Sequence, residues 1–260
     1  LEALLVHPAL AVRCAALPSA LRHRTPGAWA ALEREALDRM TPTAMILLAA
    51  LGGPGHHDAL VSLLGGPHRP AALRALGLSG SGRVVPSVMS WLTGPDRRSA
   101  RLAAEALATI TGCDAEVPWA TPPAEVEEGL PDLDDDLARE LVPAAEEQLP
   151  EPDDARLHAW WGGAQRRFHP SVRYLGGCPY DAGVLRDALE RSPTRRRHAL
   201  AALASIELHA HCDPWALASR QRSQIAAFGG AQARAEPRLT APSRRGPEPP
   251  RAPEASVARP

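Results

Sequence analysis

The chain has 260 residues and a formal net charge of −1, and 45% of its residues are hydrophobic. This length allows one large domain or two small ones, with enough apolar residues for a sizeable core. Aromatic residues make up only 4%, whereas alanine supplies 49 residues. That balance favours closely packed helices over a β-sandwich or barrel. The longest apolar run covers eight residues, 44–51, so no segment is predicted to cross a bilayer.

The cysteines and the first residues of the sequence indicate the cellular compartment. The four cysteines are far apart and form no Cys-x-x-Cys pair, a distribution typical of reduced thiols rather than a disulfide framework. The beginning of the sequence lacks the charged-then-apolar pattern of a secretory signal. We therefore expect a cytoplasmic protein.

Charge is divided unevenly along the chain. Residues 114–154 contain 15 acidic residues and one arginine, a local charge of −14, whereas the remaining residues carry +13. The acidic stretch also contains seven prolines, and high charge with many prolines favours an extended chain. We therefore predict a linker over residues 114–152, with a short helix at 136–148 as the alternative for its second half. The opposite charges also predict contacts between linker and arginines, each of them weak.

A pattern of arginine, a spacer and an Ala-Ala-Leu stretch recurs along the chain. Its instances are HPALAVRCAAL at 7–17, RPAALRALG at 69–77, RRSARLAAEAL at 97–107 and RRHALAAL at 196–203. Related Ala-Leu pairs in the first half recur at offsets of about 25 to 31 residues, a period typical of stacked helical arrays. Each helix pair in such an array buries its apolar face only against its neighbours. An all-α fold with stacked repeats over residues 1–113 is the prediction.

Capping residues predict where these helices begin and end. Thr41 followed by Pro42 is a favoured helix start. Asp96 is expected to cap a longer helix that Gly112 closes. Leu107 should lie on the buried face of that helix, against the helices of residues 69–93.

Residues 153–230 are predicted to form a small helical block after the linker. Its first helix follows Asp153 or Asp154. One face of that helix should form a buried stripe, made by Leu157, Trp161, Ala164 and Phe168. Trp160 flanks the stripe and should be less buried than Trp161.

The rest of the block is predicted to contain three more helices and a loop. The loop covers residues 169–179, a helix capped by Asp181 follows, and another starts at Pro193. A last helix is expected to start at Asp213 with Pro214 and to end near residue 229. Residues 231–260 contain seven prolines, six arginines and no aromatic residue, so we predict a disordered tail.

Three motifs in order along the chain carry a family resemblance. They are RLAAEALATITG at 101–112, the pair Trp160 and Trp161 with Phe168 and RYLGG at 173–177, and RRRHAL at 195–200. With the repeats at 7–17 and 69–77, they resemble a bacterial family of HEAT-repeat proteins of the phycobilisome-lyase-like type. That family has no assigned function and is often encoded near type VI secretion genes. The resemblance covers about residues 1–228. It implies a HEAT-like α-solenoid, a longer N-terminal part and no catalytic residues.

The candidate interaction residues are arginines interleaved with aromatic residues. They are Trp160, Arg166, Arg167, Arg173, Tyr174, Arg195, Arg196 and Arg197, and we call them the predicted patch. Two interpretations stay open for the aromatic residues. They are either the core of the C-terminal block, which we favour, or a surface that stacks bases and holds phosphates.

One short stretch resembles a metal site in composition. Residues 209–213 read HAHCD, and zinc takes histidine and cysteine ligands. No second ligand pair of usual spacing accompanies them, and Asp213 before Pro214 is better explained as a helix cap. The pair His56 and His57 before Asp58 has less support still. No metal, cofactor or catalytic residue is therefore assigned.

The function predicted from these observations is a non-enzymatic protein–protein interaction scaffold with an accessory role beside type VI secretion. Stacked repeats build extended surfaces that suit protein partners. The alternative is a nucleic-acid-binding HEAT protein that uses the arginine and aromatic residues of the C-terminal block. A lyase-like enzyme is a third hypothesis, which has only the analogy of repeat type behind it.

Overall fold

The computed structural model describes residues 1–117, 120–121 and 146–228, and the described part is mostly helical. Its helices are α1 Glu2–Leu5, α2 Leu10–Arg22, α3 Ala28–Glu33, α4 Pro42–Leu51, α5 Pro54–Ser62, α6 Arg69–Ser79, α7 Val85–Met89, α8 Arg97–Thr111, α9 Asp154–Ala164, α10 Ala182–Arg191, α11 Thr194–Glu207 and α12 Ala218–Ala227. Two antiparallel pairs of short strands are β1 Ala120–Thr121 with β2 Glu151–Pro152, and β3 Tyr174–Leu175 with β4 Cys178–Pro179. The all-α prediction is confirmed.

Several predicted helix ends are confirmed by their capping contacts. Asp96 accepts a hydrogen bond from the backbone N–H of Ser99 (3.1 Å), and Asp181 accepts one from Val184 (2.8 Å). Asp153, the first of the two alternatives, caps α9. α4 begins at Pro42 as predicted, although the Thr41 side chain does not cap it.

The centre of the core is formed by α4, α6 and α8, whose buried residues are mainly alanine and leucine, with a glycine, Gly77, at the crossing of α6 and α8. α6 packs against both α4 and α8. Leu107 is fully buried in α8, as predicted. At Gly77, an added Cβ would lie 2.9 Å from the Cα of Ala106. The backbones of α6 and α8 therefore approach so closely at this point that only glycine fits.

A buried carboxylate joins the first helices. Glu35 follows α3 in a π-helical turn, Arg34–Asp38, and is fully buried. Arg13 from α2 donates to its Oε1 at 2.7 Å, Arg39 also donates to Oε1, and the hydroxyl of Thr41 donates to Oε2 at 3.4 Å. Burial alone would raise the pKa of Glu35, but the hydrogen bonds from Arg13 and Arg39 outweigh it, so the pKa lies below its ordinary value. The cluster thus links α2, α3 and α4 through charge.

The hairpin of β3 and β4 docks onto the C-terminal ends of α6 and α8. The N–H of Tyr174 donates to the carbonyl of Gly80 (2.8 Å), and the N–H of Gly176 donates to that of Thr109 (2.8 Å). Helix ends leave carbonyls without partners, and this hairpin satisfies some of them. Gly80 and Gly112 end the two helices with φ of +65° and +67°, and a Cβ on either would lie 2.4 Å from a hairpin carbonyl oxygen.

The described ends of the acidic stretch pair with arginines, in line with the expected intramolecular contacts. Arg98 of α8 pairs with Glu146, and Arg97 contacts Glu151 at 3.4 Å. Residues 146–148 form a turn, and residues 151–152 form the strand that pairs with β1. The rest of the predicted linker, most of the alternative helix at 136–148 and the predicted tail at 231–260 lie outside the described residues.

The C-terminal helices pack onto the first half. α11 contacts α2 and α4, and its buried leucines belong to the same apolar core as those of α4, α6 and α8. The domain boundaries at 113 and 153 stay a prediction, but the helices on either side of them share one core. Two local predictions were wrong. The last helix begins at Ala218 rather than Asp213, because residues 214–216 form a turn first, and the loop at 169–179 contains the hairpin.

Gly77→Ala is expected to destabilise the protein, because the new methyl group would press against the backbone of α8, and overpacking of this kind costs about 1–3 kcal/mol. The matched control is Gly162→Ala in α9, where an added Cβ meets nothing within 4 Å. That variant should be neutral or gain up to about 1 kcal/mol from helix propensity. Urea unfolding of both variants checks this. Equal stability of the two would contradict the close approach of α6 and α8.

Glu35→Gln should cost about 3–5 kcal/mol at neutral pH, because it leaves the Arg13 guanidinium buried without a counter-charge. Since folding lowers the pKa of Glu35, its stabilising contribution is complete above the ordinary value of 4.5 and is lost as pH falls through the folded-state pKa. The variant should lack this part of the acid sensitivity. Urea unfolding across this pH range measures it. Arg97→Gln, at an exposed pair, is the control and should cost less than about 1 kcal/mol.

Candidate functional site

The structure separates the eight residues of the predicted patch into different sets of contacts. In the first set, Arg167 forms two hydrogen bonds of 2.9 Å to Glu116, and the indole N–H of Trp160 donates to the same carboxylate at 3.0 Å. The hydrogen bonds from Arg167 and Trp160 hold the pKa of Glu116 below its ordinary value. Arg166 is exposed beside them. The charge of Arg167 and the polar edge of Trp160 are thus already occupied within the chain.

Arg173 and Tyr174 lie in the hairpin and serve the fold. Arg173 donates to Glu207 at 3.1 Å and stacks 3.8 Å over the ring of Tyr180. Tyr174 is 6% exposed, and its hydroxyl donates to the carbonyl of Arg167. Because its ring is buried against Phe168, Tyr174 cannot present an aromatic surface to a partner.

Arg195, Arg196 and Arg197 point to different surroundings. Arg197 binds the C-terminal end of α10, donating to the carbonyl of Ser192 at 2.7 Å and to that of Glu190 at 3.3 Å. Arg195 and Arg196 instead line a cleft between α6, α8 and α11. We call it the arginine cleft, and its lining residues are Arg74, Leu78, Glu105, Ala106, Thr109, Arg195, Arg196 and Ala199.

The arginine cleft brings three guanidinium groups around one carboxylate. Arg195 pairs with Glu105 at 2.9 Å, and both side chains are largely buried. Arg74 stands at the exposed mouth and donates to the backbone carbonyl of Arg195 at 3.2 Å. Within residues 1–117 and 146–228, no carboxylate lies within ion-pairing distance of Arg74 or Arg196. The cleft therefore has an excess of positive charge.

The pKa values of Arg74 and Arg196 both lie below their ordinary value. Loss of solvent lowers the pKa of Arg74, and the positive charge of Arg195 lowers it further. Loss of solvent also lowers the pKa of Arg196, with Arg195 again adding to the effect. Arginine stays protonated at any physiological pH despite such shifts. The two cations are thus held in surroundings that favour an added anion.

The space in the cleft limits what it can hold. Its cavity volume is about 20 Å³. That is room for one or two waters, or for one small anionic group of similar size. It is far below the several hundred Å³ typical of a site for a metabolite or cofactor.

The aromatic residues of α9 match the predicted stripe in part. Leu157, Ala164 and Phe168 are buried as predicted. Trp161 is only half-buried, like Trp160, so the prediction that it is a fully buried core residue was wrong. α9 lies at the edge of the core, and the Trp161 ring contacts Phe168 at a centroid distance of 5.4 Å and Trp160 at 6.3 Å.

The stretch at 209–213 contains no metal-binding geometry. His209 and His211 are exposed whereas Cys212 is buried, and no group of three or more potential ligands comes together among the described residues. Asp213 instead accepts a hydrogen bond from the N–H of Trp215 at 3.0 Å. It therefore holds a turn, and the prediction that Asp213 caps a helix was wrong because α12 begins at Ala218 with Leu217 as its N-cap.

Sequence reasoning missed two residues of the cleft and one exposed side chain. Arg74 and Glu105 are charged residues inside Ala-Leu runs of the repeats. A charged residue within such an apolar run was the feature from which they could have been found. Trp215 is 84% exposed and stacks on His198 at a centroid distance of 4.6 Å. Nothing in the spacing around Trp215 distinguishes it from a core residue.

Comparison with known proteins adds no assignment. No protein-family model, curated protein or solved structure matches this chain. Among the helices of the described residues, none combines the length and apolar character that crossing a bilayer requires.

Trp161→Ala is expected to destabilise the protein by roughly 2 kcal/mol, below the usual cost for a fully buried aromatic because the ring is half-exposed. Trp160→Ala should cost less, about 1 kcal/mol, since its partners Glu116 and Arg167 are exposed whereas Trp161 packs on the buried Phe168. Thermal unfolding of the two adjacent variants gives a direct comparison. A larger loss for Trp160→Ala would contradict this description of α9.

Proposed function

We propose that this chain is a non-enzymatic protein–protein interaction scaffold whose stacked helices form a HEAT-like α-solenoid. The repeated Ala-Leu helices and the packing of α4, α6 and α8 support the solenoid arrangement. Stacked repeats of this kind commonly expose a continuous surface to protein partners. The resemblance to a family encoded near type VI secretion genes supports an accessory role in that system, and it is the sole support for that role.

The observation that carries the proposal is the arginine cleft. It combines two arginines that lack a carboxylate partner in the described part of the chain with a third, Arg195, held by Glu105. Arginine is enriched where interfaces have their largest binding energies. A small, preformed, positively charged cleft on a helical surface is suited to one side chain of a protein partner.

The alternative of nucleic-acid binding has less support. It depended on the arginine and aromatic residues of the C-terminal block acting together as a stacking surface. Trp160 and Arg167 instead bind Glu116, and Tyr174 is buried. The remaining positive cleft is flanked by acidic residues, since Glu146 and Asp114 are close enough to influence Arg74 and Arg196. A phosphate backbone would have to pass these carboxylates.

Photo-crosslinking in the native cell tests the proposal. A photoreactive amino acid at Thr194, which is exposed beside the cleft, should form a defined adduct with a protein that survives nuclease treatment. The same group at the exposed Ser90, which does not line the cleft, is the control and should not form that adduct. Adducts that nuclease removes would favour the nucleic-acid alternative. Identical adducts from both positions would show that the cleft is not the binding surface.

A further inference from the structure

We infer that the arginine cleft takes an aspartate or glutamate side chain from an acidic peptide segment of the partner. This inference rests on the proposed function, because it names the chemistry of the partner at the same cleft. Guanidinium groups bind carboxylates through paired, charge-assisted hydrogen bonds. The entering carboxylate would lie between Arg74 at the mouth and Arg196 inside, the two arginines lining the cleft that have no carboxylate partner among the described residues.

The chain already shows this chemistry next to the cleft. Arg98 binds Glu146, Arg97 and Arg101 contact Glu151, and Arg195 binds Glu105. The surface of α8 beside the cleft is therefore organised around carboxylates, and one further carboxylate would extend an existing arrangement.

The size and the surroundings of the cleft favour a single carboxylate over a phosphate chain. The space inside fits one small anionic group. Glu105 occupies one side, and Glu146 and Asp114 act on the arginines from nearby. One carboxylate of a flexible acidic peptide can enter between these acids while the neighbouring side chains turn away from them, whereas the phosphates of a nucleic-acid backbone are fixed in a row that has to pass them.

Glu105 has a defined role in this arrangement. In the free protein it neutralises Arg195 at 2.9 Å, and its negative charge repels any anion that approaches the other two arginines. Glu105 is thus an internal competitor. Removing its charge should strengthen binding because this repulsion is lost, while removing Arg74 or Arg196 should weaken binding.

Fluorescence anisotropy with a labelled hexaglutamate peptide tests the inference on the full chain. Arg74→Gln and Arg196→Gln should each weaken binding about tenfold, the effect expected for losing one charge-assisted hydrogen-bonded contact. Arg97→Gln is the matched control, because it removes the same charge from an exposed position and should change the affinity less than about twofold. A hexaglutamine peptide should not bind.

A second matched pair of variants tests the predicted increase in affinity. Glu105→Gln should tighten hexaglutamate binding about tenfold, whereas Glu147→Gln, at an exposed position, should have less than about a twofold effect. Thermal unfolding of each variant excludes loss of structure as the cause. Arg74 stands at the mouth of the cleft, so its variant keeps the test decisive if Arg196→Gln fails to fold.

Several results would overturn the inference. One is that the wild type does not bind hexaglutamate, and another is that Arg74→Gln and Arg97→Gln have equal effects on its affinity. A third is that an oligonucleotide displaces the peptide at a lower concentration than unlabelled hexaglutamate does. The failures of the two proposals can be told apart. A nuclease-resistant protein adduct at Thr194 together with no hexaglutamate binding leaves the scaffold in place and rejects only the carboxylate.

Discussion

The close approach of α6 and α8 at Gly77 is the constraint on which the rest of the structure depends. A single Cβ at this position would lie 2.9 Å from the Cα of Ala106. Because the two helix axes are this close, their C-terminal ends at Gly80 and Gly112 lie side by side, and one short hairpin can satisfy carbonyls of both. The same crossing sets Arg74, one turn before Gly77, beside Glu105, which precedes Ala106. Small residues at one helix crossing thus position both the docking of the C-terminal block and the arginine cleft.

Charge has a second, separate role in this chain. Several of its arginines pair with carboxylates that are remote in sequence, such as Arg167 with Glu116 and Arg98 with Glu146. Exposed pairs of this kind contribute little stability individually, but they tie the described ends of the acidic stretch to α8 and α9. The cluster of Arg13, Glu35 and Arg39 differs because it is buried, so loss of its carboxylate leaves a charge without solvent. Arg74 and Arg196, which have no carboxylate partner among the described residues, are set apart from other such arginines by their place in the cleft beside Arg195.

Candidate sites can be lost as well as gained when a sequence folds. The predicted patch was defined by order along the chain. Its residues lie in or beside α9, the hairpin and α11, which place them in different surroundings. Tyr174 became a core residue, Arg197 binds the end of α10, and Arg195 and Arg196 joined a cleft with partners from α6 and α8. Proximity in sequence therefore predicted only some residues of the cleft. The rest required the packing of helices that lie about 90 to 120 residues apart.

The sequence by itself determined the helical class and the starts of several helices. Alanine-rich apolar stripes and the side chains of Asp96, Asp153 and Asp181 act within a few residues, so local patterns are sufficient to predict them. The burial of Leu107 also followed from its place on such a stripe. Only the tertiary structure decided that α11 packs against α2 and α4, and that Trp161 lies at the edge of the core rather than inside it. It also brought Arg74 and Glu105 to Arg195. These outcomes depend on contacts between distant helices, which no local spacing encodes.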